Sequence, residues 1–352
     1  MKAKKLLAVL TGVCMIAGLA ACGSSEKSKS EGNAGGTTEA AGTEAGEGTL
    51  VLKAGHVLTE DSAYHMALTQ WADEVEEKTE GRVRIDVYAN SVLGNERDMI
   101  EALQMGTLDI TLPNSAPLSN FTDAFRVFDL PFLFRDSQEA YAVIDSEIGD
   151  NMLASLDEIG IKGLSIWENG FRYIANNKHD VAVPEDMAGM KIRTMENEIH
   201  MDSFRSWGAD ATAMAFGEVY TALQQNTIDG LENPFTPIYQ NKLYEVAPYI
   251  TMTGHFYCPA PLLIAKTTWD KISPEDRQII QELADKYKDT ERQMCRDYDE
   301  ENKKIMIEEG ATVIEDVDKS LWREAAQPVY DTYSAEIGTE LMDSIQAVIN
   351  GR

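Results

Sequence analysis

Residues 50–112 read LVLKAGHVLTEDSAYHMALTQWADEVEEKTEGRVRIDVYANSVLGNERDMIEALQMGTLDITL. Residues 50–54 form a short apolar run. Ser62 then caps a helix in which Tyr64, Leu68, Trp71 and Val75 recur at helical spacing before Gly81 ends it. Val83, Ile85 and Val87 alternate with polar residues, as a half-buried strand does. Asn95 opens a second helix through Ile100 and Leu103, Gly106 closes it, and residues 108–112 read as a third strand. A β-α-β-α-β order predicts an α/β fold with parallel sheets, helices on their faces, and ligands at the carboxyl ends of the strands.

Working outward, the same punctuation predicts a helix capped by Ser137, running through Tyr141 and Ile144 and on through Met152, Leu156 and Ile159. Gly160 stops it before a strand over residues 161–167. Ser273 and Pro274 mark another helix start, with no Gly or Pro until Gly310. Unbroken, that helix would measure about 52 Å, the length of a strut across two lobes rather than one.

The amino end is different in kind. Lys2, Lys4 and Lys5 precede an apolar run that ends at Ala21, the pattern of a secretory leader. Leu19, Ala20, Ala21, Cys22 and Gly23 resemble the lipobox of bacterial lipoproteins, which implies cleavage before Cys22 and lipidation of its sulfur. Residues 23–48 contain no aromatic or branched aliphatic side chain and read as a flexible tether spanning roughly 30 Å. Cys258 and Cys295 are the two thiols left in the body. They could pair outside the cell, and neither has metal-site spacing.

A formal charge of −28 excludes a polyanion partner, because nucleic-acid affinity comes from Lys and Arg displacing counterions. It also leaves membrane attachment to the lipid. The chain has no Gly-x-Ser-x-Gly elbow, no His-Glu-x-x-His and no phosphate loop, and its five histidines are scattered. Neither a metal nor another cofactor is expected, and catalysis has no visible carrier.

The most informative stretch is residues 189–235. A short strand over residues 190–194 places Met190 and Ile192 on one face and Lys191 and Arg193 on the other. A guanidinium at a strand end offers a planar fork that matches a carboxylate. On spacing alone, the plainer reading ranks first: a surface arginine paired with Glu196 or Glu198.

Resemblance reverses that order. Met-Ala-Gly-Met-Lys-Ile-Arg-Thr from Met187, Met-Ala-Phe-Gly-Glu-Val-Tyr from Met214, and Ile-Asp-Gly-Leu-Glu-Asn-Pro ending at Pro234 are similar to the signature region of solute-binding proteins of tripartite ATP-independent periplasmic (TRAP) transporters, DctP type. Residues 91–94, 106–110, 129–134 and 167–172 extend the likeness over most of residues 50–350. The resemblance implies that Arg193 forms the salt bridge to a ligand carboxylate, that Asn233 helps hold it, that Arg172 reaches the ligand, and that Phe216 covers its carbon skeleton. Asn114 and Trp167 are implied at the far end. The sequence departs from the family pattern at Leu231, at Asn226 and at residues 211–213, which lack the frequent prolines.

The implied fold has two periplasmic-binding-protein-like (type II) lobes: residues 49–169 with 259–298, and 170–258 with 299–352. The implied function is a lipid-anchored receptor on the outer face of the cytoplasmic membrane. It would close on a small organic acid and deliver it to a TRAP permease. A receptor presenting its ligand to a membrane sensor, and a surface hydrolase with dispersed catalytic groups, are the alternatives.

Overall fold

The computed structural model describes residues 48–351. The leader, the lipidation position Cys22 and most of the tether lie outside the described residues. The described strands are, in chain order, β1 (Leu50–Gly55), β2 (Val83–Tyr88), β3 (Ile110–Thr111), β4 (Ile161–Phe171), β5 (Tyr173–Asn176), β6 (Lys191–Thr194), β7 (Asp210–Ala213), β8 (Gly230–Asn233), β9 (Tyr249–Thr251), β10 (Tyr257–Ala265) and β11 (Thr312–Ile314). They form two mixed sheets, ordered β2-β1-β3-β10-β4 and β11-β9-β5-β8-β6-β7.

The helices that separate these strands start and stop where side chains satisfy their ends. Ser62 accepts from the His65 N–H at the start of helix Ala63–Lys78, and Asn95 and Asp98 make a capping box ahead of Glu96–Met105, which Gly106 closes at φ 67°. The helix expected from Ser137 is capped one residue earlier, by Asp136, and is two helices, Ser137–Ile144 and Glu147–Ser155. The break falls at Asp145, whose carboxylate accepts from Arg292 at 2.7 Å and Lys288 at 3.0 Å, while Ser146 caps the second piece.

The expectation of parallel pairing holds for β1 with β2 and β3, and for β6 with β7 and β8. It fails for β10, antiparallel to β3 and β4, and for β5, antiparallel to β8 and β9. The cause is connectivity. β4 leaves the first sheet at Phe171, β5 enters the second at Tyr173, and β10 returns beside β4, so Tyr257 faces Phe171 and Ala265 faces Ile161. The paired crossings form the join between the lobes.

The long helix is continuous, Pro274–Glu308, with the Ser273 side chain accepting from the Asp276 N–H. It ties both lobes. The indoles of Trp71 and Trp167 donate to Ile280 O and Ala284 O, while Asp299 accepts from Thr236 N at 2.8 Å and its hydroxyl at 2.7 Å. The last helices, expected with the second lobe, instead place Val329, Tyr333, Ile345 and Ile349 in the core of the first. Cys258 and Cys295 are free thiols with separate partners, Asn114 Oδ1 and Glu291 Oε1, so the pairing left open by the sequence is not formed.

Where the strut meets the crossing, two acids are buried. Glu291 accepts from Glu168 N at 2.9 Å and from the Cys295 thiol at 2.9 Å. Burial, helped by the neighbouring Glu168 charge, pushes the Glu291 carboxyl up to about 8, and burial pushes Glu168 up to about 7. A carboxyl that holds its proton more tightly when folded contributes stability that is full below its unfolded value and is lost as pH rises through the folded one. Stability from this pair therefore falls between about pH 4.5 and pH 8. Glu291→Gln, a mimic of the protonated acid, is expected to gain melting temperature over the wild type as pH is raised from 5 to 8.5. A constant difference across that range would show that Glu291 is ionised in the fold.

Candidate functional site

The short parallel strands β6 and β8 end on the same side of the second sheet and carry the site. Ile192 faces the core at 0% exposure, so strand alternation sends Arg193 to the opposite face. That face is not solvent, because the first lobe covers it and leaves Arg193 only 2% exposed. The surface pairing with Glu196 or Glu198 is therefore not what the fold builds. Arg193 Nε donates to Met214 O at 2.8 Å, and its Nη1 has no partner.

Arg172 sits between β4 and β5, its backbone N–H bonded to Phe256 O at 2.9 Å. It is 1% exposed, and Glu232 of β8 takes most of its donors: Nε and Nη2 face the two carboxylate oxygens, and Nη2 also reaches Glu232 O at 2.8 Å. Nη1 again has no partner. Burial alone would lower the Arg172 pKa, but the Glu232 carboxylate outweighs it and holds the guanidinium above its ordinary value. Arg193 lacks such a partner, and burial brings it down to about 10, still charged at neutral pH.

Arg193 and Arg172 line one hollow, together with Asn233, Asn169, Phe216, Met195 and, from the first lobe, Val57, Leu58, Glu96 and Asn114. An adjoining hollow shares Val57, Glu96, Arg193, Met195 and Phe216. The Phe216 ring centroid lies 5.9 Å from Arg193 Cζ. Two fixed cationic donors in a largely dehydrated cleft suit a carboxylate, since Arg pairs with it through parallel N–H···O bonds. No group of three or more His, Cys, Asp or Glu side chains among the described residues could hold a metal.

The fold thus brings together Arg193, Arg172, Asn233, Phe216 and Asn114. It does not bring Trp167, which is 0% exposed in the core of the first sheet with its indole N–H on Ala284 O. Asn169, two residues along β4, reaches the hollow, but Trp167 is taken up by the long helix and is not part of the lining. Sequence reasoning missed Glu232, Glu96 and Asn169. Glu232 stands in the same Glu-Asn-Pro block as Asn233 and could have been read as the counterion of Arg172. Glu96, in the first helical turn, reads as an ordinary dipole-facing acid.

The cleft is closed by direct bonds across it. Asn197 Nδ2 donates to Ala116 O at 3.0 Å and Asp129 Oδ2 at 2.8 Å, and Asn120 Nδ2 donates to Glu196 O at 2.7 Å. On another part of the rim, Thr59 Oγ1 donates to Gln240 Oε1 at 3.1 Å, and Gln240 Nε2 donates to Asp61 O at 2.8 Å.

Comparison with known proteins agrees with this architecture. Residues 54–336 match the family model DctP, described as bacterial extracellular solute-binding protein, family 7. A solute-binding protein of Verminephrobacter eiseniae is 38% identical over 288 residues, covering 82% of this chain and 86% of its own length. Among solved structures, a TRAP periplasmic solute-binding protein from Polaromonas sp. JS666 bound to D-erythronate is 39% identical, with a TM-score of 0.83 over 84% of this chain and 98% of that one. A sugar acid binding protein from Advenella mimigardefordensis in complex with galactonate is 32% identical, with a TM-score of 0.84 over 86% of this chain and 98% of that one.

Proposed function

The chain belongs to bacterial extracellular solute-binding protein family 7, the DctP family of TRAP transport receptors, and on that premise we propose that it captures a small organic acid in the interlobe cleft and delivers it to a TRAP permease. The family is one of extracytoplasmic binding proteins, not enzymes. The observation that carries the reading is that Arg193 and Arg172, each with an unpartnered buried Nη1, line one hollow between the lobes. Arg193 grips the ligand carboxylate, Arg172 and Asn233 complete the anchor, Phe216 covers the carbon skeleton and Asn114 lies at the distal wall. D-Erythronate and galactonate in the two relatives favour a sugar acid. The lipobox-like leader favours attachment of the receptor to the outer face of the membrane through lipidated Cys22.

An acid that touches both lobes stabilises the closed form by its differential affinity for that form, and the closed form is what docks on the permease. A micromolar Kd corresponds to about −8.2 kcal/mol, within reach of an arginine fork and a few neutral hydrogen bonds. Calorimetry of the purified protein against organic acids tests the proposal: saturable one-to-one binding without turnover is expected, and turnover of a bound acid would contradict it.

Closure also predicts a role for the rim. The two bonds of Gln240 hold the lobes together without lining the ligand hollow, and each is worth about 1 kcal/mol net of solvent competition. Gln240→Ala is expected to weaken every acid that binds by the same factor, about 3- to 10-fold. Dissociation constants for two or more ligands check this, and a change in their rank order would show that Gln240 acts on the ligand instead.

A further inference from the structure

Asn169 lines two hollows. One is the ligand hollow. The other is walled by Ser137 of the first lobe, by Tyr173, Phe235 and Met252 of the second, and by Arg296 and Lys303 of the long helix. Arg172 lines the ligand hollow, whereas its neighbours Phe171 and Tyr173 line the other, so strand alternation puts the two on opposite sides of the crossing. Between them the crossing is irregular. The β4–β10 ladder pairs Gly170 with Cys258 and Glu168 with Pro259, so Asn169 is an extra, bulged residue, and Gly170 beside it holds φ 106°. The rear hollow measures about 160 Å³, room for an aromatic ring, since a cavity of about 150 Å³ holds benzene. Each charged residue of its wall has a partner: Arg296 lies 3.6 Å from Glu168, Lys303 lies 3.2 Å from Glu300, and Asp299 accepts from Thr236. Its significance is therefore its position rather than a charged grip.

We infer that the rear hollow is a closure device: it is room that narrows when the ligand cleft opens, so a group that fills it holds the lobes closed and strengthens binding of the acid in front. The inference rests on the receptor reading above and adds how the affinity of that site is set. Two lobes turning about a crossing move oppositely on its two sides, so opening the front squeezes the back. The bulge at Asn169 and the glycine after it are where the crossing bends. Only the closed form holds the acid with both lobes, so apparent affinity scales with the fraction of protein already closed before the ligand arrives.

Met252→Trp fills the rear hollow from the second lobe and Ser137→Phe from the first, and neither residue lines the ligand hollow. Calorimetry of the full chain with D-erythronate, galactonate and succinate is expected to show every acid that the wild type binds held roughly 3- to 10-fold more tightly by each variant, by one common factor. Small-angle scattering of the unliganded chain should give a smaller radius of gyration in the variants, a shift that altered ligand contacts would not produce. Unchanged or weaker binding in a variant that folds, or tighter binding with an unchanged radius, would overturn the inference and leave the receptor reading standing. Failure of both variants to fold would also overturn it, because the hollow would then not be free room. Binding of none of the three acids by the wild type, or binding that survives Arg193→Met, would overturn the receptor reading and this inference with it.

Discussion

Arg193→Met is expected to abolish organic-acid binding without loss of stability in the unliganded protein. Methionine keeps the aliphatic stem that packs beside Phe216 and deletes only the charged fork. The fork is 2% exposed and fixed by one bond from Nε to Met214 O, with Nη1 unpartnered, so little ordering is needed on binding. Removing one partner of a buried, hydrogen-bonded ion pair costs about 3–5 kcal/mol, or roughly 100- to 4,000-fold in Kd. The apo protein should respond in the other direction. Burial and the nearby Arg172 guanidinium both disfavour the charged form of Arg193, which is why it sits at about 10. Losing that charge relieves a cost the fold carries for the ligand. Thermal melting should therefore show an apo variant at least as stable as the wild type, with no shift on adding an acid. Micromolar binding by the variant would place the anchor elsewhere.

The contrast between the two arginines shows what local sequence can and cannot express. The β-α-β punctuation around Ser62, Asn95 and Gly106 is written in caps and turns, so those helices lie where spacing puts them. The strut was legible from the lack of any Gly or Pro between Pro274 and Gly310. The direction of β10 was not legible, because antiparallel pairing with β4 depends on a crossing that no local pattern encodes. Trp167 was misplaced for a related reason: a strand buried on both faces has no alternation to show which face meets the cleft. Arg193 was assigned through its family block, whereas its burial depends on the other lobe. Glu96 reaches the same hollow from more than 90 residues away, and its pairing with Asn114 is visible only in three dimensions.

Glu232→Leu is expected to be the most destabilising of the substitutions considered, and the ligand should partly reverse it. Glu232 is 0% exposed and meets Arg172 through both carboxylate oxygens and its own carbonyl, while His255 Nε2 lies 3.5 Å from Oε2. Burial alone would raise this carboxyl, but the Arg172 guanidinium outweighs burial and holds it well below the usual carboxylate range. Leucine would leave Arg172 enclosed and without its counterion, a loss of about 3–5 kcal/mol that urea unfolding at pH 7 would register. Pairing the change with Arg172→Met removes both charges and should recover most of that stability, since a buried pair replaced by apolar groups of similar volume is often neutral. The ligand adds a second readout. In Glu232→Leu the freed guanidinium still lines the hollow, so an incoming carboxylate can serve as its counterion as well as that of Arg193. A sugar acid such as D-erythronate should then raise the melting temperature of Glu232→Leu by more than it raises the wild type, and should do so only weakly in the double variant. An equal shift in all three proteins would mean that Arg172 serves the fold alone and that the ligand carboxylate is held by Arg193 without it.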